Sequence, residues 1–122
     1  MRFPRDARHR EATALLARHA NSSLITSNHV RGETWTFLRR RVGHRSATHY
    51  LDRLERTPRL RVVFVSEELE NGALQWLRRH DEREYSFVDA TSFALMRSLG
   101  LREALAFDDD FTAAGFVELR AD

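Results

Sequence analysis

Three acidic side chains stand at points of the sequence where they could act together on a metal ion. Glu33 lies in the first turns of one predicted helix, Asp89 in the first turn of another, and Asp108 directly follows a predicted strand. Like charges that converge repel one another and require a cation, and hard carboxylate oxygens select Mg²⁺ or Mn²⁺. The residue types therefore predict a catalytic metal site with Glu33, Asp89 and Asp108 as ligands and Asp110 as a further candidate.

Each of these acids also has a purely structural explanation. Ser86 and Asp89 match the capping-box pattern, in which a serine and an acid three residues later satisfy backbone amides at the start of a helix. Glu33 lies at the border of the apolar face of its helix and equally suits a position that faces solvent. The acidic run 108–110 is typical of a turn or a helix N-cap. The metal site consequently depends on the three acids meeting, because none of them requires a metal by itself.

The elements that must position the acids alternate between strands and helices. The predicted strands span 22–28, 60–66, 103–107 and 116–120, and the predicted helices span 6–20, 29–42, 46–56, 67–80 and 87–99. Ser46 and Ser66 are the predicted N-caps of the helices that they precede, and Gly100 ends the last helix. Alternation of this kind predicts an α/β fold with a mainly parallel sheet. In such sheets, sites form outside the carboxyl ends of the strands, where the three acids fall.

The length and composition are those of one globular domain, which we predict to span residues 1–122. The chain has 42% hydrophobic and 31% charged residues, which is ordinary for a globular protein. No stretch approaches the roughly 18 apolar residues that a membrane span needs, and the N-terminus has no apolar segment like that of a signal peptide. With no cysteine there is no disulfide framework and no thiolate metal site. We therefore expect a cytoplasmic protein that does not associate with membranes.

All 20 basic residues are arginine. The planar fork of the guanidinium recognises phosphate and carboxylate groups better than the point charge of lysine does. A net charge of +2 is modest, so local clusters carry more information than the total. Arg39 and Arg40, in the densest cluster, are candidates for contacts with a nucleic-acid backbone, although a solvated helix face explains them equally simply. Arg78 and Arg79 form a lesser pair.

Other catalytic patterns are absent from the sequence. The six histidines show no HExxH or other metal-ligand spacing, and no GxSxG, P-loop or GxGxxG motif occurs. The pattern of acids is therefore the strongest sign of chemistry in the chain.

Two long segments resemble a known family. "YSFVDATSFALMRSLGLREALAFDDDF", followed by "AAGF", and "LITSNHVRGETWTFLRRRVGH" are similar to PIN-domain ribonucleases, especially the VapC-like toxins of type II toxin–antitoxin pairs. The resemblance covers the chain from about Arg5 onward. It implies a three-layer α/β/α sandwich with a mainly parallel central sheet, and metal-dependent cleavage of RNA by a quartet of acids. The second, third and fourth acids map to Glu33, Asp89 and Asp108. The resemblance also implies a homodimer and an antitoxin partner that lays a segment across the active site.

The sequence departs from the family at its start. The family begins with an apolar strand that ends in an aspartate, and a helix follows that strand. This chain instead opens with "MRFPRDARHREA", which looks like the loop after that helix. Asp6 belongs to that loop segment and does not replace the first acid, and Ala106 stands where the family often has threonine. We expect either that Met1 is internal to a longer natural chain, or that strands 24–28 and 103–107 pair directly or are bridged by a second copy. The alternative function is a catalytically impaired PIN-like module that binds RNA or an antitoxin.

Overall fold

The computed structural model describes residues 24–105 and 110–119. It divides into two compact units, with the boundary between Val63 and Phe64. The predicted helix 6–20 and the acid Asp108 lie outside the described residues. The expectation of a single domain over residues 1–122 stays a prediction.

The described part of the first unit, residues 24–63, contains two strands and two helices. They are β1 (Leu24–Ser27), α1 (Asn28–Arg41), α2 (His44–Arg56) and β2 (Leu60–Val63). The two strands pair in parallel, with Leu24 opposite Leu60 and Ser27 opposite Val63. A parallel pair needs a long crossover connection, and here the α1–α2 hairpin supplies it. The predicted strand 60–66 is too long, since the observed strand ends at Val63.

The turn between α1 and α2 corrects one prediction. Ser46 is not an N-cap, because α2 begins two residues earlier at His44 and its N-cap is Gly43. The amides of Val42 and Gly43 both donate to the carbonyl of Leu38, at 2.8 and 2.9 Å, and so close the end of α1. Gly43 then reverses the chain with a φ of 133°, which a residue with a Cβ rarely adopts. The next helix therefore starts immediately.

The second unit contains the remaining elements. They are α3 (Glu67–Arg79), α4 (Phe87–Leu99), β3 (Glu103–Leu105), the short α5 (Asp110–Ala113) and β4 (Val117–Leu119). Strands β3 and β4 are parallel, with Glu103 opposite Val117. The predicted N-cap Ser66 is confirmed, because its Oγ accepts a hydrogen bond of 3.2 Å from the amide of Leu69. The end of the predicted strand 103–107 lies outside the described residues.

An aromatic core holds the second unit together around α4. Phe93 is fully buried, and its ring meets those of Trp76, Phe111 and Phe116 at centroid distances of 5.1, 4.9 and 5.6 Å. Aromatic pairs at such distances contribute beyond the area that they bury. Gly100 ends α4 in the left-handed conformation, with φ at 69°, as predicted. The helix that carries Asp89 is therefore firmly anchored.

The helices are short. The longest described helix, α1, has 14 residues, whereas a bilayer span needs about 20. No helix in the described part of the chain is long and apolar enough to cross a membrane.

Candidate active site

Asp89 forms the predicted capping box at the start of α4. Its backbone amide donates to Ser86 Oγ at 2.9 Å, and its Oδ2 accepts from the amide of Ser86 at 3.4 Å. The second hydrogen bond is long and therefore weak. A carboxylate offers about four lone-pair directions, so the cap occupies only part of its capacity as an acceptor. Capping and metal binding by Asp89 are therefore compatible.

Glu33 lies in the second turn of α1, with its side chain exposed. Phe37 is about 40° away around the helix and is half-buried, so Glu33 stands at the edge of the packed face. Arg40 follows seven residues later, nearly two full turns, and lies within about 20° of Glu33 around the axis. Glu33 and Arg40 therefore share one exposed stripe of α1.

Asp110 opens α5 and is held by an arginine from the loop between α3 and α4. Arg83 donates from Nε to Asp110 Oδ1 at 3.0 Å, and its Nη2 lies 2.9 Å from the same oxygen. The Asp110 side chain is only 18% exposed, against 41% for Arg83. The ion pair gives Asp110 a structural role, and a role in metal binding stays a prediction.

The meeting of the three predicted acids also stays a prediction. Glu33 belongs to the first unit, Asp89 belongs to the second, and Asp108 lies outside the described residues. Among residues 24–105 and 110–119, no three histidine, aspartate or glutamate side chains form a group that could hold a metal. The donor chemistry of Glu33 and Asp89, two hard carboxylates, nevertheless suits Mg²⁺ or Mn²⁺.

The structure shows ionisable groups beside Asp110 that sequence reasoning missed. The hydroxyl of Tyr85 is buried and has no hydrogen-bond partner among the described residues. Burial raises the pKa of Tyr85, the carboxylates of Glu82 and Asp110 raise it further, and Arg83 partly offsets them. A hydrogen bond of 2.8 Å from His80 Nδ1 lowers the pKa of Glu82. The local sequence around Tyr85 gave no signal for these contacts, because Asp110 lies 25 residues further along the chain.

One titratable group in the first unit is also perturbed. Burial between α1 and α2 raises the pKa of Tyr50, while a hydrogen bond to Thr34 and the charge of Arg31 act in the opposite direction. This tyrosine packs the helical hairpin.

Arg39 and Arg40 occupy the last turn of α1 with exposed side chains. Positive charge at this end of a helix is favourable, because it complements the partial negative charge of the unpaired carbonyls. Neither arginine forms an ion pair with a described residue. Their predicted contact with a nucleic-acid backbone stays a prediction.

Comparison with known proteins identifies the family. The model of the PIN domain matches residues 3–117. The 23S rRNA-specific endonuclease VapC20 of Mycobacterium tuberculosis, from strains CDC 1551/Oshkosh and H37Rv, is 56% identical over 115 residues. The match covers 94% of this chain and 86% of the relative. A crystal structure of M. tuberculosis VapC20, described as a sarcin–ricin loop cleaving toxin, superposes with a TM-score of 0.83 at 55% identity. That alignment covers 94% of this chain and 87% of the other.

These matches confirm the resemblance read from the two long segments and the predicted PIN-like α/β/α fold with parallel strands. Both parallel strand pairs of the structure agree with that fold. The chain therefore belongs to the PIN-domain family, and within it to the VapC-like ribonuclease toxins of toxin–antitoxin systems.

Proposed function

We propose that this protein is a divalent-metal-dependent endoribonuclease toxin that cleaves 23S ribosomal RNA at the sarcin–ricin loop. The observation that carries the proposal is the 56% identity, over 94% of this chain, to an endonuclease described as specific for 23S rRNA. A structure of that relative, described as a sarcin–ricin loop cleaving toxin, supports the narrower substrate.

In this proposal Glu33, Asp89 and Asp108 hold a Mg²⁺ or Mn²⁺ ion. A bound metal of this kind lowers the pKa of its water and shields charge on the phosphate during in-line displacement. Asp89 is presented by a rigid helix start, since the Ser86 cap and the aromatic core fix the first turn of α4. Rigid presentation of ligands favours metal binding, because little ordering remains to be done.

We assign Arg39 and Arg40 to the RNA backbone. Arg40 shares the exposed stripe of Glu33 and lies about 10.5 Å further along the α1 axis. A guanidinium can donate two parallel hydrogen bonds to one phosphate. A phosphate bound at Arg40 would set the position of the RNA relative to the ligand Glu33 without reading its sequence.

The partners follow from membership of the toxin family. We propose a homodimer and a cognate antitoxin that covers the active site, in a cytoplasmic setting. Large apolar side chains are exposed on the second unit, which suits contacts with proteins. They are Leu74, Leu99, Leu101 and Val117, with Phe64 and Phe87. Light scattering during gel filtration tests the dimer, and a single-protomer mass at micromolar concentration would contradict it.

The function is tested by cleavage of a sarcin–ricin loop hairpin by the purified protein, with the cut mapped by primer extension. We expect cleavage with Mn²⁺, none with EDTA, none of a scrambled hairpin, and none by Asp89→Asn. Wild-type protein that binds the hairpin but does not cut it would support the alternative of a binding module without catalysis. Cleavage that persists in EDTA would remove the metal mechanism.

A further inference from the structure

The two units carry opposite charge. Residues 24–63 contain nine arginines and three carboxylates, a formal net charge of +6. The described part of the second unit, 64–105 and 110–119, contains five arginines and ten carboxylates, a net charge of −5. The net charge of the whole chain is only +2, because the opposite charges of the two units largely cancel. Away from the proposed metal ligands, a polyanion is therefore attracted more strongly to the first unit than to the second.

The outer face of α2 concentrates part of this positive charge. Arg45 and Arg56 are exposed and lie within about 20° of each other around the helix, roughly 16.5 Å apart along its axis. The buried residues Ala47 and Leu54 lie on the opposite side, about 160° to 200° away from this stripe. The two arginines therefore point away from the packed interior of the unit.

Few negative charges offset this face. Asp52 lies between the two arginines along α2 and within about 40° of each around the helix, but its side chain is half-buried. Glu55 is the exposed acid of α2. Neither Arg45 nor Arg56 forms an ion pair with a residue that the structure describes.

Within residues 24–63, no large apolar side chain is exposed. All six large apolar side chains that are exposed in the described residues belong to the second unit. Protein interfaces are anchored by apolar and aromatic side chains at their centre, whereas nucleic-acid interfaces are polar and strongly positive. The outer face of α2 therefore suits a phosphate backbone better than an acidic protein.

We infer that Arg45 and Arg56 form a second RNA-backbone surface, in addition to Arg39 and Arg40 on α1. The inference rests on the proposed function for the identity of the nucleic acid. Contacts of this kind hold and orient a substrate through counterion release and do not read its bases. The surface extends the reach of the enzyme beyond the phosphate that is cut.

The test is RNA binding in EDTA, which separates affinity from turnover. Fluorescence anisotropy measures binding of the sarcin–ricin loop hairpin and of a scrambled hairpin at salt concentrations of about 50 to 300 mM. In roughly this range, counterion release dominates the salt dependence of binding. For Arg45→Gln/Arg56→Gln we expect roughly tenfold weaker binding of both RNAs at about 0.1 M salt. The slope of log K against log salt concentration should become less steep by about 1 to 2, again for both RNAs. Arg45→Lys/Arg56→Lys keeps both positive charges, so this variant should keep most of the salt dependence of binding.

The matched control is Arg78→Gln/Arg102→Gln, which removes two exposed arginines from the second unit. An affinity loss no larger than in the control would overturn the inference, as would a loss confined to the unscrambled hairpin. Unchanged RNA binding together with weaker binding of a polyglutamate peptide would also overturn it and assign the face to an acidic protein. Thermal unfolding of each variant, together with RNA binding by the single variant Arg56→Gln, excludes a folding defect as the cause of weaker binding. If the wild type binds RNA but never cleaves it, the proposed function fails. The binding comparison between wild type and variants still tests the surface of Arg45 and Arg56.

Discussion

Asp89 combines a role in helix capping with a proposed role in metal binding, and substitutions at the two ends of the capping box separate them. Ser86→Ala removes the cap and should lower the free energy of unfolding by about 1 kcal/mol while Mn²⁺-dependent cleavage persists. Asp89→Asn keeps an oxygen that can accept from the Ser86 amide but removes the charge. We expect its cleavage rate to fall by at least about a hundredfold, which is more than residues that only support a ligand typically cost.

Urea unfolding and cleavage of the hairpin RNA measure the two effects. If Asp89→Asn loses stability and keeps its activity, the residue only caps the helix. The position of a capping acid could be predicted from four residues of sequence, whereas a metal ligand requires knowledge of distant segments.

Tyr85 offers a prediction about pH. Its folded pKa is raised above the ordinary value of 10.0 chiefly by burial, so the stabilising contribution of the neutral hydroxyl is complete below pH 10 and is lost as pH rises through the folded pKa. Tyr85→Phe removes a buried hydroxyl that has no partner among the described residues. We expect the variant to be as stable as wild type or up to about 1 kcal/mol more stable at pH 7.

Above pH 10 the variant should lose less stability than wild type, as measured by urea unfolding between pH 7 and 11. Tyr50, whose pKa is also raised, has the same sign of effect, so part of the alkaline loss should remain. A destabilisation of Tyr85→Phe by more than about 1 kcal/mol at pH 7 would show that the hydroxyl is satisfied.

The Arg83–Asp110 pair ties α5 to the loop that leads into α4. Because the Arg83 side chain is 41% exposed and its charge is partly screened by solvent, Arg83→Gln should lower the free energy of unfolding by only about 0.5 to 1 kcal/mol. Asp110→Asn should cost a similar amount, and the double variant should cost little more than either single one, since both remove the same interaction. Urea unfolding at low and high salt gives these values, with Arg78→Gln as the exposed control. Fully additive losses would mean that the two residues act separately.

The starts of α3 and α4 were predictable, because local side-chain caps fix them. Ser66 and Ser86 accept from amides three residues ahead, and Gly100 adopts a left-handed conformation, so short patterns located these helix ends. Ser46 was wrongly predicted as an N-cap, because the chain reverses at Gly43 and α2 begins there without a side-chain cap. The Arg83–Asp110 pair was not predictable, since it joins residues 27 apart with no pattern between them.

At the scale of the whole molecule, charge and apolar exposure divide between the two units. The first unit is strongly positive, while the second is negative and carries the large apolar side chains that are exposed among the described residues. This division suits contacts with the RNA backbone on the first unit, outside the proposed metal ligands, and protein partners on the second. The sequence contains this asymmetry, but only the structure shows which of its arginines are exposed and unpaired.

The proposed metal site links residues 33, 89 and 108, so metal binding should stabilise the whole chain. An ion that binds only the folded state adds about 2.7 kcal/mol at a hundred times its dissociation constant, because the unfolded chain cannot bring the three acids together. For a chain of this length the gain corresponds to a rise in Tm of roughly 10 °C. Calorimetry with Mn²⁺ measures the shift, which Glu33→Gln and Asp89→Asn should each abolish. Glu55→Gln, which removes an exposed acid of α2, should keep it. A full shift in Glu33→Gln would exclude Glu33 from the site and leave the metal to the acids of the second unit.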